Sequence, residues 1–427
     1  MMATSPRSAP HQLRNYIVVT GAYWADTLTD GAIRTLVLFY FYELGYSALQ
    51  VALLFLLYEI FGVITNLVGG WLGARFGLTA TLFGGLATQV LALGMLGIAD
   101  PIWLAIPAIG VPYVMVAQAL SGIAKDLTKM SSKSALKVVV ADGAQSTLFR
   151  WVTLLTGSKN ALKGVGFFLG ALLLSVIGFR PTLVLFAGLV LIALITAALL
   201  LRGGLGSSNK QAKFREIFSR NQAVNLLAAA RLFLFASRDV WFVVGLPVFL
   251  RSVLGWSFWQ AGGFLAIWTI GYGFVQAAAP RVLRRNDAQN KEPDGRMAAW
   301  LAFGLAAFPT GIALALMAGV APTIVVVGGL LAFGVMFALN SAVHSYLILA
   351  YTDGEKAAMN VGFYYTANAL GRLAGTVLSG WLYTVAGLIG CLWVAVGCVL
   401  AAGIISLALP INTAPRTRPI AFGKGGD

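Results

Sequence analysis

Leu44-Gly45-Tyr46-Ser47 returns about 210 residues later as Leu254-Gly255-Trp256-Ser257, and this repeat decides the architecture. Working outward from it, Gln50 falls opposite Gln260 and Asn66 opposite Gln276. Asn160-Ala161-Leu162 likewise falls opposite Asn368-Ala369-Leu370 at nearly the same offset. Each match is weak alone, but a shared offset is what one structural unit present twice produces.

Both copies are too apolar for water. Of 427 residues, 59% are hydrophobic and 11% charged, with a mean hydropathy of +0.83. Crossing the hydrocarbon takes about 20 mainly apolar residues per helix. Apolar runs of that kind lie near 15–44, 48–73, 79–99, 102–140, 145–178 and 181–201, then near 222–251, 258–283, 296–318, 322–351, 356–387 and 388–410. In lipid such runs are helices, because only helices and closed barrels satisfy their own backbone groups. The expected fold is therefore an all-α membrane protein of twelve transmembrane helices in two pseudo-symmetric six-helix bundles. The first occupies 1–201 with a short cytoplasmic tail, 202–221 is a cytoplasmic linker, and the second occupies 222–427 and ends in another short tail. Met1 to Asn15 has no short apolar region with a small-residue cleavage site and reads as cytoplasmic tail.

A net charge of +15 would suggest nucleic acid in a soluble domain, but here it is mostly a topology signal. Arg7, Arg14 and Arg75 fall on one side of the predicted spans, as do Arg202, Lys210, Lys213, Arg215 and Arg220. Arg281, Arg284, Arg285, Lys291, Arg296, Arg416, Arg418 and Lys424 fall there too. The opposite loops carry little beyond Arg180 and Arg251, which places both termini and the linker in the cytoplasm. Cys391 and Cys398, seven apart in the last span, read as packing residues. The chain has no phosphate-cradling Gly-rich loop followed by Lys-Ser or Lys-Thr and no His/Cys cluster with metal-ligand spacing. The reading is a gradient-driven transporter, not an enzyme, with no cofactor and no metal, acting as a monomer in the lipid bilayer.

Ionisable residues at membrane depth are costly and need a reason. In the first span Asp26, Asp30 and Arg34 recur every four residues on one helix face, and in the seventh Arg231 and Arg238 lie two turns apart with Asp239 following. Guanidinium keeps its charge and grips phosphate-like oxyanions through paired hydrogen bonds, so Arg34, Arg231 and Arg238 are candidate anion ligands. The alternative is an internal Asp30–Arg34 pair that only holds the fold. Lys125, Lys129, Lys133 and Lys137 form a cationic stripe along the fourth span, which either enters the central cavity at Lys129 and Lys133 or ends in cytoplasmic water. His344 serves either a proton step or plain hydrogen bonding. Asp30, Glu59 and Asp239 are the carboxylates proposed for proton coupling. Asn66, Arg150, Lys159, Lys163 and Arg372 are further polar residues in the spans, the last two beside glycine-rich stretches suited to close helix packing.

Two such halves joined by a basic linker resemble the major facilitator superfamily, and Gly70-Trp71-Leu72-Gly73-Ala74-Arg75-Phe76-Gly77 resembles its gating-loop signature between spans two and three. Gly70, Arg75 and Gly77 keep that pattern, while Ala74, Leu78 and Thr79 stand where the family has charged residues. Leu28-Thr29-Asp30-Gly31-Ala32-Ile33-Arg34, the segment Gly69 to Leu78, and Ala124-Lys125-Asp126-Leu127-Thr128-Lys129-Met130-Ser131-Ser132-Lys133-Ser134-Ala135 are similar to the organoarsenical efflux permease family ArsJ. That resemblance implies export of 1-arseno-3-phosphoglycerate from a bacterial inner membrane. It also implies a functional partnership with glyceraldehyde-3-phosphate dehydrogenase, which makes this anion from arsenate. Spans one and seven line the central cavity in the superfamily, so the resemblance sets Arg34 and Arg238 facing one substrate. An organophosphate/phosphate exchanger would use the same arginine pair. A multidrug exporter fits less well, because such proteins favour carboxylate-lined aromatic cavities for cations.

Overall fold

The chain, as a computed structural model, is described over residues 9–139, 145–201, 221–285, 293–351 and 357–410, without the side chains of 9–13, 69–71, 73–75, 133–139, 145–157, 280–281, 284–285, 349 and 357–361. Its regular elements there are helices: α1 (Ala9–Glu43), α2 (Ala48–Leu54), α3 (Leu56–Phe76), α4 (Leu78–Ile98), α5 (Pro101–Leu104), α6 (Pro107–Val139), α7 (Gln145–Ile177), α8 (Phe179–Leu200), α9 (Gln222–Phe242), α10 (Gly245–Ser252), α11 (Phe258–Arg285), α12 (Gly295–Met317), α13 (Pro322–Ala350) and α14 (Ala357–Leu407). Ten helical segments are long and apolar enough to cross a bilayer. The longest of them divides at Gly387, whose φ of 63° leaves the right-handed helix. With α1, which is more polar because it carries Asp26, Asp30 and Arg34, the crossings number twelve as expected.

The repeated sequence motif has a shared physical cause. Gly45 and Gly255 take φ of 88° and 67°, a left-handed conformation that ends the preceding helix at little steric cost. Ser47 and Ser257 then begin the next helix. Ser47 Oγ accepts the Gln50 N–H at 3.3 Å and Gln50 Oε1 accepts the Ser47 N–H at 2.9 Å. Ser257 and Gln260 repeat the exchange at 3.4 and 2.8 Å. Both are capping boxes, so the motif marks the same corner in each half.

Two spans expected to be continuous are broken. The second bends at Phe55, between α2 and α3. The seventh stops at Phe242 and restarts at Gly245, with Pro247 unable to donate an intrahelical hydrogen bond. The backbone donors freed at the break are not left bare: Val244 N–H and Gly245 N–H reach Ser379 Oγ of α14 at 3.2 and 3.0 Å.

Helices α1, α3, α4, α6, α7 and α8 pack together, as do α9, α11, α12, α13 and α14. The halves meet along two seams, α7 against α11 and α2/α3 against α14. Small residues bring the backbones close at both. A Cβ added at Gly380 would lie 2.3 Å from Ala52 Cβ, and one at Gly262 would lie 2.4 Å from Ala171 Cβ. At the same end Arg251 pairs with Glu43, and the rings of Phe39 and Phe258 lie 5.4 Å apart. The halves are therefore closed upon each other at the Glu43–Arg251 end. Ile192, Leu199, Trp300 and Ile324 are more than half exposed, as side chains are when lipid rather than water surrounds the helices. Cys391 is buried and Cys398 half-buried, both as free thiols. The linker expected at 202–221 lies outside the described residues except for Asn221, whose side chain caps α9.

Candidate functional site

Near the middle of the bundle, helices from both halves bring their charges into one layer. Arg34 of α1 donates to Glu59 Oε1 of α3. Arg372 of α14 donates to the same oxygen at 2.7 Å, so one carboxylate holds guanidiniums from opposite halves. Arg372 Nε also lies 3.5 Å from Asp239 Oδ2, and Arg238 binds Asp239 Oδ1 at 2.5 Å. The result is an alternating chain, Arg34–Glu59–Arg372–Asp239–Arg238, crossing from one half to the other. Its carboxylates are about 1% exposed while its arginines are 11–18% exposed. The acids are thus buried behind the cations.

A second group completes the layer in the first half. Lys163 of α7 binds Asp30 Oδ2 at 3.0 Å. Tyr58 of α3 donates its hydroxyl to Asp30 Oδ1. Its ring lies 4.5 Å from the Arg34 guanidinium and 4.0 Å from Lys125 Nζ, an arrangement that favours cations over the π face. Lys129 binds Asp126 and donates to Asn66 Oδ1 at 2.8 Å, while Lys125 lies 3.7 Å from Asp126. Across both groups, six basic side chains share four carboxylates. The layer therefore carries more positive than negative partners.

Beside it lies a small, partly open pocket lined by Arg34, Thr35, Phe55, Phe167, Phe242 and Val243 among others. Its walls come from both halves and from the break between α9 and α10. Low-polarity walls strengthen any charge interaction made there.

The predicted residues separate into three sets. Arg34, Arg238, Asp30, Glu59 and Asp239 stand in the central layer, and Lys129 joins it through Asp126. The internal Asp30–Arg34 pair weighed as the alternative does not form; both residues pair with other helices, Asp30 with Lys163 and Arg34 with Glu59. Arg231 belongs to a separate network in the second half, donating to Asn368 Oδ1 at 3.0 Å and to Ser341 Oγ at 3.0 Å. His344, one turn along α13 from Ser341, is fully buried and neither ring nitrogen has a hydrogen-bond partner among the described residues. The side chains of Lys133, Gly70 and Arg75 lie outside the described residues. Gly77 is described and uses φ of 85° to turn the chain into α4.

Sequence reasoning did not place Arg372, Lys163 or Tyr58 in the site. Arg372 and Lys163 were visible as charges at membrane depth, but their glycine neighbours pointed to packing. Packing is also real: a Cβ on Gly371 would lie 2.2 Å from Leu232 O, and one on Gly164 would lie 2.9 Å from Ala266 O. The glycines bring the helices together, and the adjacent cations occupy the layer so formed.

The family model of the Major Facilitator Superfamily matches residues 19–348. Among solved structures, a D-xylose-proton symporter is similar with a TM-score of 0.68 at 15% identity, covering 96% of this chain and 99% of the other. A POT family transporter in complex with 5-aminolevulinic acid reaches 0.72 at 12% identity, covering 93% and 96%. One in complex with a thioalcohol-conjugated peptide reaches 0.71 at 12%, covering 92% and 96%. At these identities the structures share the fold alone. No curated protein matches in sequence.

Proposed function

The chain belongs to the Major Facilitator Superfamily as a secondary-active membrane transporter, and we propose that it moves a small multivalent oxyanion outward, 1-arseno-3-phosphoglycerate. The observation carrying this reading is the central layer, in which three arginines from both halves converge on two carboxylates with positive charge in excess. A carboxylate-phosphate-arsenate ligand matches that layer chemically. Its oxygens can accept the paired donors of Arg34, Arg238 and Arg372 that Glu59 and Asp239 now occupy. Glu59 then acts as an internal stand-in for substrate, holding the cations in place until an anion replaces it. Without such a stand-in, converging guanidiniums would repel one another in a low-dielectric layer.

Alternating access follows from the same contacts. The Glu43–Arg251 end is closed, so substrate reaches the layer from the opposite end, which is cytoplasmic if both termini are cytoplasmic as the basic loops predict. Outward movement requires the α7–α11 and α2–α14 seams to part at the Glu43–Arg251 end. Arsenic enters the reading through the sequence resemblance, since the layer recognises charge and geometry rather than an element. An organophosphate exchanger would use the same three arginines.

The test is arsenate tolerance and cellular arsenic in an arsenic-sensitive bacterium expressing the chain, with and without glyceraldehyde-3-phosphate dehydrogenase. The expected result is resistance and lowered arsenic only alongside the dehydrogenase, lost in Arg34→Ala. Unchanged tolerance despite membrane expression would reject the arsenical and leave the organophosphate reading to be tried with 3-phosphoglycerate.

A further inference from the structure

Among the described residues, one carboxylate at membrane depth takes no part in the ion pairs. Asp30, Glu59, Asp126 and Asp239 each meet an arginine or lysine. Asp26, one turn from Asp30 on α1, is 1% exposed. Neither of its carboxylate oxygens has a hydrogen-bond partner among the described residues. Its backbone carbonyl is engaged, accepting from Thr29 Oγ1 at 3.1 Å, so the helix itself is regular there and only the side chain is unpaired.

The groups around Asp26 explain why it stands apart. Asp30 lies on its own helix with Tyr23 close by; α6 contributes Lys125 and Asp126, and α7 contributes Lys163, with Lys159 one turn before it. The nearby cations are already committed, Lys163 to Asp30 and Lys125 to Asp126. Helix α4 carries no charged residue, and its Gln89 amide reaches Thr29 Oγ1 at 3.4 Å. From α8 the charged side chain is Arg180, near the helix start and bonded to Gly97 O. A carboxylate enclosed this way, with two carboxylates for neighbours and no hydrogen-bond partner among the described residues, carries a desolvation cost that a bound proton would relieve.

We propose that Asp26 is a proton-binding site whose occupancy sets the affinity of the central layer for anions. With the proton on, the O–H bond leaves Asp26 neutral and the cationic excess of the layer is undiminished. When the bond breaks and the proton passes to water, the new carboxylate draws on Lys125 and Lys163 and lowers the positive potential offered to substrate. Anion affinity therefore falls as pH rises through the titration of Asp26. One unit charge about 10 Å away at an effective dielectric near 20 changes affinity about tenfold per ligand charge. This effect on affinity rests on the anion reading above, whereas the proton site itself does not.

The experiment has two arms on the purified full chain. Infrared difference spectra in H₂O and D₂O read the C=O stretch of protonated carboxyls without any substrate. A deuterium-shifted band in the wild type, absent in Asp26→Asn and retained in Asp30→Asn, is expected. Should Asp26→Asn not fold, Asp26→Glu must keep the band at a moved frequency. Binding of 3-phosphoglycerate across pH forms the second arm, with affinity in the wild type falling about tenfold or more at high pH and staying high in Asp26→Asn. A band that survives Asp26→Asn, or a pH profile that this change leaves intact, overturns the proposal. Absence of 3-phosphoglycerate binding by every protein at every pH would instead reject the anion reading, with the infrared band deciding the proton site alone.

Discussion

The bridge from Arg372 to Glu59 joins the two halves, so removing either side should shift the balance between conformations. Glu59 is 1% exposed and keeps Arg34 when Arg372 is lost, while Arg372 is 18% exposed and keeps Asp239 when Glu59 is lost. Neither residue is stranded, so the full 3–5 kcal/mol expected of a broken buried pair does not apply. A charge-assisted hydrogen bond at 2.7 Å is worth about 1.5–3 kcal/mol. Partial exposure of the arginine argues for the lower part of that range, about 2 kcal/mol of coupling. That corresponds to about a thirtyfold change in the ratio of closed to open at the Glu43–Arg251 end. The assay is a double-mutant cycle of Glu59→Gln, Arg372→Met and both together. It reads the alkylation rate of a cysteine at Phe258, which is covered by Phe39 when that end is closed; Cys391 and Cys398 are replaced beforehand. Each single change should speed labelling, and the double should add little to either. Strictly additive effects, with coupling below about 0.5 kcal/mol, would refute the bridge as a latch between halves.

The other expectations come from packing and hydrogen bonding. Gly380→Leu must displace the Ala48–Ala52 backbone of the opposite half, so labelling at the Glu43–Arg251 end should rise as it does on losing the bridge. Gly166→Leu meets Leu28 O within its own half, at 2.2 Å for the first added carbon. It should lower the melting temperature without favouring either conformation in the labelling assay. Ser379→Ala strips the acceptor from two buried N–H groups at the α9–α10 break. The expected loss is about 1–3 kcal/mol, seen as a lower melting temperature, with Ser379→Thr retaining most of the stability.

The repeated corner Leu-Gly-aromatic-Ser was legible because its chemistry is local: a left-handed glycine followed by a capping serine acts within a few residues of itself. The Gly387 kink fell at the expected boundary between the last two spans for a similar reason, since apolar length alone demanded a turn near there. The break after Phe242 was hidden because it depends on Ser379, which lies 134 residues away from Gly245 and satisfies the freed donors from another helix. The same contrast holds for the site. Arg34, Asp30, Arg238 and Asp239 stood out as charges inside apolar runs, and the structure does bring them into one layer. Their partners could not be read off, because i and i+4 spacing favours an Asp30–Arg34 pair while the packed helices offer Lys163 and Glu59 instead. Arg372 was seen but read as a companion of the glycines around it, and Tyr58 carried no signal because a tyrosine in an apolar run is ordinarily core.

Everted membrane vesicles test the central claim most directly, through accumulation of arsenic when arsenate, glyceraldehyde-3-phosphate, NAD and the dehydrogenase are supplied outside. The account predicts uptake only when every component is present, with competition by 3-phosphoglycerate and loss in Arg34→Ala, Arg238→Ala and Arg372→Ala. Uptake that ignores the dehydrogenase, or that persists in all three arginine variants, would contradict a multivalent anion site built from the two halves.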